Sequence, residues 1–289
     1  MADTIAVEAP RDRGVGLVLA SQTSVHSGAA VATMLFPLAG AAGVVTLRLV
    51  IGAALMLAVC RPRVRGHRAR DWTLLAGFGV VLAVMNFLYY LAIQRMPIGP
   101  VVTLEVLGPL TLSVLAGKDA ARWLWALLAL AGVALLGFGG LRAGGFDLIA
   151  AGLALAAGAC WAGYIMLSAR TGSRFPKQDG LALAMTVAAL VALPLGVTTS
   201  GGAMFGPVTL ALGAAVAVLS SVLPYSLELA ALRRLPTSTF AVLMSLGPAI
   251  AALAGFAIAG QALSVAEIAA IVLVVAASAG AVRSRTVAE

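Results

Sequence analysis

The stretch QRMPIGPVVTLEVLGPL, Gln94 to Leu110, is written a second time, in degenerate form, as RRLPTSTFAVLMSLGPA, Arg233 to Ala249. Arg95, Pro97, Leu104, Leu107, Gly108 and Pro109 recur at a constant offset of 139 residues as Arg234, Pro236, Leu243, Leu246, Gly247 and Pro248. Around these two copies the chain falls into ten apolar stretches, five with each copy. The first five are Gly14 to Leu35, Ala41 to Cys60, Trp72 to Ile93, Ile98 to Ala116 and Trp123 to Gly139. The second five are Phe146 to Leu167, Leu181 to Thr198, Pro207 to Leu232, Thr237 to Ala257 and Val265 to Val282. A helix rises about 1.5 Å per residue, so about 20 residues cross a hydrocarbon core of about 30 Å. A duplicated half with an odd number of spans inserts upside down relative to its twin, and inverted repeats are the architecture of secondary transporters. The expected fold is therefore an all-α integral membrane protein, with ten transmembrane helices in two inverted five-helix repeats at residues 14–139 and 146–282.

Composition excludes most other classes. With 62% hydrophobic and 10% charged residues over 289 positions, a water-soluble globule has too little polar surface to cover itself. The sequence pI near 10.5 reflects Lys and Arg placed between apolar stretches, not a water-facing basic patch of the kind that binds nucleic acid. Lys and Arg collect on the cytoplasmic side of short loops. Assigning both termini and the even-numbered loops to that side places 16 of the 19 basic residues there, with Arg95 and Arg142 opposite and Arg48 inside a span. Both termini are then expected in the cytoplasm of a cell carrying this multi-pass protein in its inner membrane. The first apolar stretch, with Gln22 and His26 inside it and Leu35-Phe36-Pro37 after it, reads as a retained helix, not a cleaved leader.

Ionisable groups within spans are costly and ask for a reason. Arg48 and Glu105 each lie seven residues in from the outer end of an inward-running helix, which gives them a common depth. His26 and Asn86 fall in the same outer layer, with Tyr89 and Tyr90 one turn nearer the surface. Two readings stand side by side: a structural ion pair between Arg48 and Glu105, or a cation and an anion lining an aqueous cavity suited to a zwitterion. His26 reads equally as a packing hydrogen bond or a proton-handling group, and Tyr89 and Tyr90 equally as interfacial anchors. In the second half the offset maps Asn86 to Tyr225 and Tyr89 to Glu228, and Trp161 and Tyr164 approach the same inner side. One polar layer toward each face is what inverted gates need for alternating access. Glu228 also reads as a partner of Arg233 or Arg234. Pro109 lacks the amide hydrogen that would bond the Glu105 carbonyl, so Gly108 and Pro109, with Gly247 and Pro248 as their counterparts, are the expected hinges, and a bend is expected to line the pathway.

No phosphate-binding loop, metal-ligand spacing or disulfide pattern occurs; Cys60 and Cys160 read as small lipid-compatible side chains. No cofactor and no enzymatic activity are expected. Ser220 and Ser221, just before Pro224, read as hydroxyls that relieve a helix kink. The expected partners are the lipid bilayer, a small-molecule substrate and protons. With 32 glycines, small-residue spacings compatible with a homodimer are plentiful. Residues of this kind fit a gradient-driven carrier, with a facilitator as the alternative and a membrane scaffold as a third reading.

Four stretches are similar to a known family: LFPLAGAAGVVTLRL from Leu35, MNFLYYLAIQRMPIGPVVTLEVLGPL from Met85, GACWAGYIMLSAR from Gly158 and LPYSLELAALRRLPTSTFAVLMSLGPA from Leu223. Through them the chain resembles the EamA-type branch of the drug/metabolite transporter superfamily, within it the threonine and homoserine exporter subgroup. The resemblance implies two inverted five-helix repeats, cytoplasmic termini and proton-coupled export of small metabolites, often amino acids. Purines, drugs and other amphipathic metabolites are the alternative substrates. Two departures stand out: Gly247 replaces an acidic residue common before the ninth-helix proline, and Gln261 replaces the acidic member of a Gly-Glu pair.

Overall fold

The computed structural model of the chain describes the backbone of residues 9–64, 66–116, 121–142, 147–176, 178–232, 234–235 and 243–288. Phe146, Pro236, the first residues of the ninth expected span from Thr237, and the basic residues Arg65, Lys118, Lys177 and Arg233 lie outside the described residues. Among the described residues every regular element is helical.

The first element, α1, runs Ala9–Cys60, 52 residues, and is broken at Gly40, whose φ of 63° and ψ of 169° leave helical space. A straight helix of that length would be about 78 Å long, more than twice a hydrocarbon core. The chain instead folds back on itself: Gly28, before the break, packs against Ser220, and Arg48, after it, bonds the Ser220 carbonyl. Glycine is required at position 40, where a side chain at positive φ would be strained. This break separates the first two apolar stretches.

Next come α2 at Ala69–Ile93, α3 at Ile98–Glu105, α4 at Leu107–Ala116 and α5 at Ala121–Arg142. The fourth expected span is thus interrupted at Val106, three residues ahead of Pro109, where the missing amide hydrogen loosens the ladder. The second half holds α6 at Leu148–Gly172, α7 at Asp179–Ser200, a 3₁₀ turn at Gly201–Phe205, α8 at Pro207–Ala217 and α9 at Leu223–Leu232. Between α8 and α9, Val218–Val222 winds as a π-turn directly before Pro224. Last are α10 at Gly247–Ala259 and α11 at Val265–Ala288. Among the described residues five helical segments are long and apolar enough to cross a membrane: 13–60, 69–93, 148–172, 179–205 and 207–228. Ile98–Leu112, Trp123–Leu135, Gly247–Ala259 and Val265–Gly280 are shorter apolar helices.

The packing joins the two halves of the sequence. Helix α1 lies against α7, α8 and α9, α2 against α6, and α5 against α11. Small residues permit close approach: Gly43 meets Ser200, Gly196 meets Thr46, and Gly79 meets Val187. Large apolar side chains such as Leu127, Leu190, Leu253 and Val265 point outward, as the lipid-facing side of a bundle requires. Helices α2 and α6 run antiparallel and are tied at both ends: Asp71 to Arg174 at 3.1 Å and Arg95 to Asp147 at 2.8 Å. Asp147 also caps α6, its carboxylate accepting from the amides of Ile149 and Ala150 at 2.8 and 3.0 Å. The Ala150 amide and then Arg95 hold this exposed carboxyl below the usual aspartate range.

Candidate functional site: a central polar cavity

A cavity of about 160 Å³ opens where the two halves meet. From the first half, Arg48 and His26 on α1, Asn86 and Tyr89 on α2 and Glu105 at the end of α3 line it. From the second half come Trp161 and Tyr164 on α6 and Tyr225 and Glu228 on α9. All nine candidate residues therefore share one space. The residues of the two expected polar layers thus line a single cavity. A neighbouring space of about 190 Å³ shares Tyr164, Tyr225 and Glu228 as its boundary with the first.

Arg48 is held by acceptors that carry no charge. Its Nη2 donates to the Ser220 carbonyl at 2.9 Å, its Nε to Ser221 Oγ at 3.3 Å and its Nη1 to the Tyr90 hydroxyl at 3.4 Å. The guanidinium also lies 5.5 Å from the Tyr90 ring centroid, a cation–π distance. Among the described residues the ion pairs within 4.0 Å are those of Arg95 and Arg174, so Arg48 and Glu105 do not form the structural pair. The Ser220 carbonyl is available because Pro224, four residues on, has no amide hydrogen to offer it. A hydroxyl on α1 satisfies its neighbour: Ser24 donates to the Leu219 carbonyl at 2.7 Å. Relief of this kink thus comes from across the bundle, and the serines at 220 and 221 are not its main source.

Tyr89 and Tyr90 are 8% and 0% exposed, so neither is an interfacial anchor. Ser21 Oγ donates to Glu228 Oε1 at 2.9 Å, while the Arg234 guanidinium turns to the Ala230 carbonyl at 3.0 Å, so Arg234 is not the partner of Glu228. Asn86 Nδ2 donates to the Leu82 carbonyl at 2.8 Å. His26 lies beside Gly247, whose missing side chain would begin 3.6 Å from His26 Nε2.

Gly247 and Pro248 line the cavity; Gly108 and Pro109 do not. The break itself borders the cavity through Glu105 and Val106, while Gly108 is turned to α6, where a side chain would strike the Gly158 backbone and one at Gly158 would strike the Glu105 carbonyl. The freed carbonyl of Glu105 is packed against α6 while its carboxylate faces the cavity. The two departures from the family pattern also separate. Gln261 Oε1 accepts the Ile98 amide at 3.0 Å and so caps α3 outside the cavity, whereas Gly247 is part of the cavity wall. Among the described residues no cluster of acids, histidines and cysteines has the arrangement of a metal site.

Buried polar groups around a cavity inside an apolar helical bundle define a multi-pass membrane protein with room for a small solute. Residues 148–283 match the EamA-like transporter family. The chain is 41% identical over 265 residues to the threonine/homoserine exporter RhtA of Salmonella typhimurium strain LT2, covering 91% of this chain and 89% of the relative. It is 40% identical over the same length to the threonine/homoserine exporter RhtA of Escherichia coli strain K12, with the same coverage. This chain belongs to the EamA-like transporter family. A crystal structure of another protein, 21% identical, covers 97% of this chain and 99% of its own with a TM-score of 0.59, and shows the shared fold.

Proposed function

We propose that this protein is a secondary active inner-membrane exporter of small amino acids of the threonine and homoserine type, working by proton antiport and alternating access. The observation that carries this reading is the convergence of Arg48, Glu105 and Glu228, from both halves of the chain, on one buried cavity. A space of about 160 Å³ suits a solute of a few heavy atoms, and the names of the relatives supply its chemical class. Glu105 holds either a proton or the ammonium of the substrate. Those two occupants exclude each other, and exclusion at one carboxylate is the simplest basis for exchange across the membrane. Glu228, held by Ser21, and the neighbouring Tyr164 and Tyr225 form the wall toward the second space and serve as the gate on that side.

The same reading takes residues 14–139 and 146–282 as two inverted repeats of five spans each, with cytoplasmic termini. The duplicated Arg-x-Pro and Leu-Gly-Pro elements support the repeat, and the placement of 16 of 19 basic residues supports the orientation. Gly247 and Pro248 in the cavity wall, and Gly108 and Pro109 behind Glu105, are the points at which the halves bend.

The test is counterflow of labelled threonine and homoserine into proteoliposomes, with and without an imposed pH gradient, for wild type and Glu105→Gln. Gradient-stimulated counterflow that is lost in the variant supports the exporter. Gradient-independent flux that is identical in both proteins establishes a facilitator and refutes the coupling role of Glu105.

A further inference from the structure

Arg48 is held in place by acceptors that carry no charge. The Ser220 carbonyl, freed by Pro224 within the π-turn, takes an Nη2 hydrogen; Ser221 Oγ takes that of Nε; the Tyr90 hydroxyl takes one from Nη1. π-turns inside α-helices recur at functional sites because they open carbonyls to side chains. A guanidinium has five N–H donors. Three bonds therefore leave one N–H on each terminal nitrogen. Arg48 lines the cavity, and among the described residues no carboxylate lies within 4.0 Å of it. A charge buried in this way is costly until something pairs with it. Two N–H groups on the terminal nitrogens make the planar fork that grips a carboxylate with two parallel bonds.

We propose that Arg48, fixed by the π-turn at Val218–Val222 and by Tyr90, is the receptor for the carboxylate of the transported solute. The cavity then accepts zwitterions and discriminates against amines that lack a carboxylate. This inference rests on the cavity being the transport site. Tyr90 and Ser221, outside the cavity lining, and Pro224, through the carbonyl it frees, are positioning residues in this arrangement: they aim the fork. With the carboxylate on Arg48, the acidic side chains of Glu105 and Glu228 remain for the ammonium end, and the Asn86 side-chain oxygen is left as an acceptor for a hydroxyl.

The test compares unlabelled threonine with threoninol as competitors of labelled-threonine counterflow in proteoliposomes. Threoninol keeps the ammonium and the hydroxyl but lacks the carboxylate. In wild type it is expected to compete roughly 10- to 100-fold more weakly, the worth of a charge-assisted bidentate contact. Arg48→Gln should bring that ratio to about 1, because only threonine loses a partner. Tyr90→Phe, which keeps the arginine but removes one restraint, should narrow the ratio. A purely structural role for Arg48 would lower all flux and leave the ratio untouched. Equal competition by threoninol in wild type overturns the inference, and this arm stands even if Arg48→Gln fails to fold. Absence of threonine and homoserine counterflow in folded wild-type protein overturns the amino-acid reading itself, an outcome distinct from equal competition.

Discussion

Replacing Gly158 with alanine tests how closely the broken fourth span is packed. The added methyl at 158 is directed at the carbonyl oxygen, carbonyl carbon and Cα of Glu105. All of these are backbone atoms, so no flexible side chain can swing away, and α6 must separate from α3. Forcing extra volume into a well-packed site costs about 1–3 kcal/mol, with a backbone collision toward the upper end. Alanine returns about 1 kcal/mol over glycine in a helix, which leaves a net loss of about 2 kcal/mol. In detergent, followed by circular dichroism, that loss lowers Tm on the order of 5 °C. Gly152→Ala on the same helix is the control, since a methyl there meets nothing within 4 Å. It gains propensity without strain, so its Tm should hold or rise. Because the displaced group is the backbone of Glu105, Gly158→Ala should also reduce counterflow in protein that is still folded. Equal Tm and equal flux for the two variants would refute the packing argument.

Three further outcomes follow from the same contacts. Pro224→Ala restores an amide hydrogen able to claim the Ser220 carbonyl from Arg48, so threonine flux should fall while α9 becomes more regular by hydrogen exchange. Ser21→Ala removes the hydroxyl that donates to Glu228; the pH profile of counterflow should shift while Tm changes little. Asp147 is bonded by helix amides and Arg95, so its folded pKa lies below its unfolded value of about 3.9. Its contribution is therefore complete above the unfolded pKa and disappears as pH falls through the folded one. Asp147→Asn should lack that acid-side loss in a Tm-versus-pH series. Asp147→Ala should be less stable than Asp147→Asn at neutral pH, because asparagine keeps the helix cap.

The candidate polar residues were legible in the sequence because each was an anomaly within an apolar stretch: Arg48, Glu105 and Glu228 carry charge where charge is costly. Their common cavity was not legible as such. Equal depth along separate helices leaves azimuth open, and azimuth decides which side chains meet. The rule that placed a free carbonyl on Glu105 applies equally to Pro224 and Ser220, and that is the signal from which the Arg48 anchor is readable. Nothing in the sequence marked Gly158 among 32 glycines, because its meaning lies in a contact with Glu105, more than 50 residues away. Tyr90 resembled an interfacial aromatic by position and is fully buried by packing. Arg174 was legible as a topology charge and Arg95 as an exception to it, while their acidic partners across the α2–α6 pair required the fold.

Proton movement accompanying substrate exchange tests the central claim most directly. Proteoliposomes loaded with a pH-sensitive dye, free of any initial gradient, are given external threonine. Wild-type protein is predicted to produce a threonine-dependent change in internal pH, and Glu105→Gln, folded and incorporated to the same extent, to produce none. A threonine-driven pH change that persists undiminished in Glu105→Gln would contradict the account.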